Sequence, residues 1–150
     1  MLKIKSYVKV KSVAEAYELN QKKNNKIIAG GVWMKIGDRR IATAIDLSGL
    51  GLDQITETDT EFVIGAMTTL REIEKHAGLA AYTDGAIRES VRHIVGVQFR
   101  NCATVGGSIF GRFGFSDVLT VFLAMDPQVE LYHAGMVSLK EFIDMPYDND

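Results

Sequence analysis

Charged and hydrophobic residues alternate along the first ten positions and are followed by helical spacing. Lys3 to Val10 is predicted to form a half-buried strand, because charged and polar residues there alternate with Ile4 and Val8. Ser12 and Glu15 have the spacing of a capping box, which predicts a helix that begins at Ser12. The chain is therefore predicted to open with a strand and a helix.

The next apolar runs are short and are separated by glycine. Lys26 to Ala29 predicts a buried strand that ends in a Gly-Gly pair. Val32 to Ile36 predicts a short helix or turn, and Ala42 to Leu47 predicts a further strand. The glycine-containing segment from Gly49 to Asp53 is interpreted as a hinge between two subdomains.

Capping patterns and β-rich runs alternate in the remaining two thirds of the chain. The predicted elements are a hairpin (Gln54 to Thr58 with Glu61 to Met67), a capping-box helix from Thr69 with Gly78 as its C-cap, a helix from Asp84 to Gly96, a helix capped by Ser116 or Asp117 that runs to about Met125, a strand (Gln128 to His133), and a capping box at Ser138 and Glu141. We therefore predict a mixed α+β fold, with a small N-terminal α/β subdomain over residues 1–52 and a larger α+β subdomain over residues 53–150.

Length and composition indicate an ordinary globular domain without a membrane segment. The chain has 150 residues, 47% of them hydrophobic, and a formal net charge of −2. The apolar run from Val118 to Met125 is too short to span a bilayer, and the alternating start does not resemble a signal peptide. A single cysteine permits no internal disulfide, which favours a cytoplasmic location.

The positive charge is concentrated near the N-terminus. Ten of the seventeen basic residues precede Ile41, against the three acids Glu15, Glu18 and Asp38. The lysines are scattered singly and lack interleaved aromatic side chains, so a solvated face is favoured over a nucleic-acid surface.

The segment from Arg100 to Asp117 carries four glycines and several small hydroxyl residues between two apolar segments. Thr104 and Val105 are predicted to end an extended piece, Gly106 and Gly107 to form the turn, and Ser108 to point its hydroxyl at the same place. Together with the earlier Gly-Gly pair, this predicts main-chain N–H groups that grip two adjacent phosphates. The alternative, a plain tight turn at each pair, stays open.

Other candidate chemistry is weak. Arg100 and Arg112 are possible phosphate clamps, since a guanidinium matches phosphate geometry. Cys102 is interpreted as an inert, partly buried thiol, although His76, His93 and His133 could pair with it in a nucleophile. The histidine spacing predicts no metal site, and no catalytic side chain is predicted.

Two motifs resemble those of a known family. TVGGSI at Thr104 to Ile109, preceded by RN and followed by SD, resembles the second flavin-binding motif of the molybdenum hydroxylase flavoproteins, which include the FAD-binding medium subunits of carbon monoxide and xanthine dehydrogenases. IIAGGVWM at Ile27 to Met34 resembles the first motif, although Val32 and Trp33 replace its usual polar residues. YVKVKSVAEAYELN and AIDLSGL resemble other parts of the same domain.

The resemblance implies a two-subdomain FAD-binding domain, with FAD as the cofactor. It implies an oxidoreductase component that does not oxidise substrate alone, but passes electrons from iron–sulfur clusters on a partner subunit through FAD to an acceptor such as NAD. The implied partners are an iron–sulfur subunit and a molybdopterin-binding subunit. The implied cofactor-binding residues are Ile28, Ala29, Gly30, Gly31, Val32, Trp33, Met34, Ile94, Thr104, Gly106, Gly107, Ser108 and Asp117.

The family's flavin subunits continue beyond the point where this chain stops, so a truncated product is expected. Alternative interpretations are a flavin-free remnant or interaction module of such a complex and, less favoured, a domain that binds NAD.

Overall fold

The computed structural model describes residues 1–147, in which helices and small sheets are mixed. The strands are β1 (Lys3–Lys9), β2 (Lys26–Ile28), β3 (Arg40–Asp46), β4 (Ile55–Glu57), β5 (Phe62–Ile64), β6 (Gln128–Leu131) and β7 (Gly135–Ser138). The helices are α1 (Val13–Asn20), α2 (Leu70–Lys75), α3 (Ala77–Tyr82), α4 (Ala86–Arg92), α5 (Val97–Arg100), α6 (Val105–Phe110), α7 (Asp117–Met125) and α8 (Leu139–Asp144), with a short 3₁₀ helix at Met34–Ile36. The predicted α+β class is confirmed.

A three-stranded parallel sheet forms the N-terminal part of the fold. Its order is β1-β3-β2, so β3 is central, and Ala44 and Ile45 in β3 are fully buried. The prediction that β2 is buried is wrong, because β2 lies at an edge of the sheet and Ile27 is 39% exposed. Ile28 pairs with Asp46, so the first Gly-Gly pair leaves the sheet at the carboxyl ends of its strands.

The predicted start of α1 is confirmed, with one change in its capping. Ser12 is the N-cap, and its hydroxyl accepts a hydrogen bond from the Glu15 N–H. The Glu15 carboxylate accepts from the N–H of Lys11 rather than from Ser12. The helix packs on the sheet through Ala16, which lies in a small hydrophobic cluster with Val10 and Ile45.

A second and larger hydrophobic core lies among α2, α4, α7 and α8. Its most buried side chains include Leu70, Ile87, Val91 and Leu139. The predicted hairpin is confirmed as the antiparallel pair β4–β5, whereas the partner of β6, strand β7, was not predicted. The boundary between subdomains at residue 52 stays a prediction.

Two predicted helix ends are wrong. Helix α2 ends at Lys75, and Gly78 lies inside α3, whose N-cap is His76. Helix α4 begins after Gly85, which has a left-handed φ of 81°, and it ends at Arg92 rather than at Gly96. A Cβ at position 78 would lie 2.1 Å from a carboxylate oxygen of Glu57, but this oxygen is at the flexible end of an exposed side chain, which can move aside.

Within residues 1–147, none of the helices combines the length and apolar character needed to cross a membrane.

Candidate functional site

The first Gly-Gly pair forms a turn between β2 and the 3₁₀ helix. Gly31 has a φ of 67°, and its carbonyl accepts a hydrogen bond of 3.0 Å from the Lys35 N–H. The predicted short helix or turn after this pair is thereby confirmed. Among the residues that the structure describes, the N–H groups of Gly30, Gly31 and Val32 have no hydrogen-bond acceptor. Successive unpaired N–H groups around a left-handed residue form a concave site that suits an anion.

The structure brings this turn against the segment that leads to the second motif. A Cβ on Gly30 would lie 1.7 Å from the carbonyl oxygen of Cys102 and 3.1 Å from the nitrogen of Ala103. Val32 packs against the large core that also contains Ala103 and Val105. The two glycine motifs, distant in sequence, are therefore neighbours.

The second motif is helical, and its predicted turn is wrong. Thr104 is extended as predicted, but it is the N-cap of α6. Val105, which was predicted to be extended, begins that helix, and Gly106 and Gly107 lie within it. The Thr104 hydroxyl accepts a hydrogen bond of 3.1 Å from the Gly107 N–H. Packing explains why position 106 is glycine, since a Cβ there would lie 2.6 Å from the carbonyl oxygen of Ala66.

The predicted hydrogen-bond donors of the second motif have acceptors within the protein. The Gly106 N–H donates to the Ala66 carbonyl at 2.9 Å, and the Ser108 hydroxyl donates to the Thr104 carbonyl at 2.8 Å. Gly107 is exposed, and a Cβ there would meet only the Thr104 hydroxyl, at 3.0 Å. The first motif is thus the part of the site whose N–H groups are free for a diphosphate.

Asp117 is exposed to solvent, whereas Ile94 packs against the core. Ser116, not Asp117, is the N-cap of α7, because its hydroxyl accepts from the Leu119 N–H at 3.1 Å. Asp117 is an exposed residue of the first helical turn. Ile94 is half-buried and packs against the large core, so core packing accounts for it.

Arg100 is committed to a structural role. Its side chain is buried, its Nε lies 2.8 Å from Glu74 Oε2, and its Nη1 donates to the Ile94 carbonyl at 3.2 Å. Burial opposes ionisation of Glu74, but hydrogen bonds from Arg100 and Arg71 outweigh it and lower the pKa of Glu74. Arg100 is therefore not available as a phosphate clamp.

Arg112 also points at protein groups. It has a left-handed φ of 48°, and its guanidinium donates to the carbonyls of Ile143 and Met145. The same group lies 4.4 Å from the ring centroids of both Phe142 and Tyr147. It anchors the end of α8 and the residues that follow it.

The cysteine and histidine residues form no shared centre. Cys102 is an exposed free thiol, so the prediction of a partly buried one is wrong. His76 Nδ1 accepts from the Leu79 N–H, and His93 Nε2 accepts from the side chain of Arg92. His133 stacks on Tyr17. Among residues 1–147, no group of three His, Cys, Asp or Glu side chains is arranged to hold a metal ion.

An open groove borders the second motif and was not anticipated from the sequence. Its volume is about 640 Å³, and its lining includes Asp53, Thr69, Glu72 and Asn101. Thr69 forms a backbone bridge with Thr104, so the groove lies alongside the start of α6. Because the groove depends on contacts between distant segments, the sequence carries no local signal for it.

Trp33 lies at the surface and not in the core. Its indole is 55% exposed and contacts the rings of Phe113 and Phe115. Met34, the next residue, is half-buried and begins the 3₁₀ helix. A side chain this exposed does not fill the core.

The fold and the two joined glycine motifs define a flavin-binding domain. The chain belongs to the family described as the FAD binding domain in molybdopterin dehydrogenase, which it matches over residues 2–150. The cofactor of this family is FAD.

Individual proteins are also similar to this chain over most of its length. The uncharacterised protein YgfM of Escherichia coli strain K12 is 28% identical over 153 residues, which cover 97% of this chain and 56% of that protein. Carbon monoxide dehydrogenase from Hydrogenophaga pseudoflava, solved in a form that lacks the Mo-pyranopterin moiety of the molybdenum cofactor, superposes with a TM-score of 0.82 and 26% identity over 92% of this chain and 51% of that one. Reconstituted CO dehydrogenase from Oligotropha carboxidovorans gives a TM-score of 0.79 and 29% identity over 89% of this chain and 50% of that one. The chain thus spans about half the length of these relatives.

Proposed function

We propose that this chain binds FAD as the flavin component of a molybdenum hydroxylase complex. In this proposal it receives electrons from the iron–sulfur clusters of a partner subunit, whose own source is a molybdopterin-binding subunit. It passes them to an acceptor such as NAD. Family membership and the likeness to carbon monoxide dehydrogenases support the proposal. A cytoplasmic location is part of it, and the single cysteine is in keeping with that location.

The observation that carries the proposal is the row of N–H groups at Gly30, Gly31 and Val32, which have no acceptor within residues 1–147. These groups fit the diphosphate of FAD, because oriented backbone N–H groups stabilise an anion without a neighbouring cation. Bound FAD supplies the redox chemistry, which no side chain of the domain needs to provide.

The second motif supports the same site from its other side. Thr104 is 5% exposed and its hydroxyl accepts from the Gly107 N–H, so in this proposal it holds the first turn of α6 beside the diphosphate. Exposed Gly107 keeps the surface open, and Gly106 lets α6 pack closely on Ala66. The remaining residues of the proposed contact set are Ile28, Ala29, Trp33, Met34, Ile94, Ser108 and Asp117.

The test is the flavin absorbance of the purified 150-residue chain, with and without added FAD. The wild-type protein is expected to be yellow or to become so. Gly31→Val is expected to abolish the flavin absorbance. A β-branched residue strongly disfavours a φ of 67°, so the turn changes conformation and its N–H groups no longer point at one place. Gly135→Val is the matched control: Gly135 has a φ of 69° and open space around it, in the β6–β7 hairpin, and its variant is expected to keep FAD.

A folded wild-type protein that binds no FAD would contradict the proposal and would support the flavin-free interaction module. Thermal-shift titrations with FAD and NAD separate the two dinucleotides, because only a ligand that prefers the folded state raises the melting temperature. The proposed partners are tested separately, by co-purification of an iron–sulfur subunit with the tagged chain.

A further inference from the structure

We propose that an aromatic surface formed by Trp33, Phe113 and Phe115 receives a planar ring of FAD. This inference rests on the FAD-binding function proposed above. It extends that function from the diphosphate to one of the two ring systems of the cofactor, and it assigns Phe113 and Phe115 a role that neither glycine motif contains.

The three rings come from two segments that meet in space. Their centroids are 5.3 Å apart for Trp33 and Phe113, 5.9 Å for Trp33 and Phe115, and 5.2 Å for Phe113 and Phe115. The two phenyl rings are nearly parallel, with an interplanar angle of 12°, and the indole is tilted against both. These separations are those of favourable aromatic pairs, so the three rings form one continuous surface.

This surface faces solvent. Trp33 is 55% exposed, Phe113 39% and Phe115 69%. Scattered exposed aromatic residues are common, whereas a contiguous group of exposed rings is typical of surfaces that bind another molecule.

The backbone around Phe113 positions its ring. A Cβ on Gly111 would lie 2.8 Å from the ring of Phe113, so the absence of a side chain there lets the ring fold back onto the end of α6. The Ser116 N–H donates to the Phe113 carbonyl at 2.9 Å and closes a turn before α7. The ring of Phe113 is thus positioned by the same segment that links the second motif to α7.

The position of the surface indicates its ligand. Trp33 directly follows Val32, the last of the three N–H groups without an acceptor in residues 1–147, so its backbone adjoins the proposed diphosphate site. In FAD, both the isoalloxazine and the adenine ring are joined to the diphosphate by a short sugar-derived linker. A planar heteroaromatic ring stacks favourably on aromatic side chains, and this interaction does not depend on hydrogen bonds. Both rings share this chemistry, and the experiment distinguishes them.

The experiment measures dissociation constants of FAD, FMN and ADP by calorimetry for the full chain and its variants. Trp33→Leu and Phe115→Leu are each expected to weaken FAD binding about fivefold to tenfold, the loss of one stacked ring. Trp33→Phe is expected to retain most of the affinity. Phe110→Leu is the matched control, since Phe110 is 52% exposed but its ring packs on Tyr147, and it is expected to bind FAD like the wild type within about twofold. The melting temperature of each free variant verifies that it folds.

The pattern across ligands identifies the ring. A loss that appears with FMN but not with ADP assigns the isoalloxazine to the surface, and the reverse assigns the adenine; either result supports the proposal. FAD affinity that is unchanged in both Trp33→Leu and Phe115→Leu overturns it. If Gly31→Val abolishes FAD binding in that same series, the proposed function stands and only the aromatic contact is wrong, whereas a wild-type protein without FAD affinity overturns both.

Discussion

Gly30 and Cys102 are in main-chain contact, so close that a Cβ on Gly30 would lie 1.7 Å from the Cys102 carbonyl oxygen. The contact joins the edge of the N-terminal sheet to the segment just before Thr104. It explains why a glycine is needed at position 30 for reasons of packing, in addition to any ligand. The adjoining N–H groups of Gly31 and Val32 are held beside the second motif as a result.

Replacing Gly30 by alanine should therefore damage the fold itself. We expect Gly30→Ala to lower the free energy of unfolding by about 3 kcal/mol, because the neighbour that must move is backbone and not a flexible side chain. The midpoint of urea unfolding measures this. Gly37→Ala is the control, since its Cβ would meet nothing closer than 3.7 Å, and it should leave the midpoint nearly unchanged. Equal midpoints for the two variants would show that the contact is looser than described.

The sequence correctly predicted the start of those helices whose capping residues lie close together along the chain. The capping boxes at Thr69 with Glu72 and at Ser138 with Glu141 are both present. In each, a hydroxyl and a carboxylate three residues apart satisfy backbone N–H groups of the same turn, so no distant part of the chain is needed.

Two glycines were predicted as turn or cap residues, but the tertiary fold places them elsewhere. Gly78 and Gly106 resemble turn residues in sequence, yet both lie inside helices. Gly106 is required because the backbone of Ala66 occupies the space of a side chain, whereas the atoms nearest to Gly78 belong to the flexible end of Glu57. A sequence shows that a side chain is missing, but not which neighbour needs the space.

The sequence likewise predicted one part of the candidate site and not another. The resemblance identified both glycine motifs, but it could not show that the Gly106 N–H donates to Ala66 while the N–H of Gly31 stays free. The contact of Trp33 with Phe113 was equally hidden, because it joins segments that are far apart in sequence. The two motifs therefore differ in whether the rest of the fold supplies acceptors for their N–H groups, which no local pattern shows.

The hydroxyl of Thr104 should matter for both stability and cofactor binding. Thr104→Val keeps the shape of the side chain but removes the acceptor for the Gly107 N–H. We expect a loss of about 1 to 2 kcal/mol in the free energy of unfolding, typical of a lost N-cap, and weaker FAD binding. Thr104→Ser, which keeps the hydroxyl, should retain most of both. If serine and valine behave alike in denaturant titrations, the cap is not what stabilises α6.

The ion pair of Glu74 and Arg100 should make stability depend on pH. The two side chains are 10% and 7% exposed, and the pKa of Glu74 is lowered. A carboxylate with a lowered pKa in the folded state stabilises the fold above its unfolded pKa of about 4.3, and this contribution is lost as the pH falls through the folded value. Glu74→Gln should therefore cost about 2 to 3 kcal/mol at neutral pH and flatten the decline of stability in acid.

The control for that experiment is Glu89→Gln. Glu89 pairs with Arg92 at the surface, where the two side chains are 58% and 43% exposed. An exposed pair contributes little, so this variant should follow the wild-type profile of stability against pH to within about 0.5 kcal/mol. A Glu74→Gln profile parallel to the wild type would contradict the assigned role of Glu74.

Arg112 should hold the C-terminal helix against the end of α6. Its guanidinium lies between the rings of Phe142 and Tyr147 and donates to the carbonyls of Ile143 and Met145. Arg112→Met removes these interactions while keeping an apolar stem, so we expect a loss of about 2 kcal/mol and faster hydrogen exchange in α8. Arg112→Lys keeps a cation over the rings but not the planar fork, and it should fall between the two. Arg112→Gly tests the backbone: glycine relieves the φ of 48° but also gains conformational entropy in the unfolded chain, so a gain in stability would show that backbone strain outweighs the anchor.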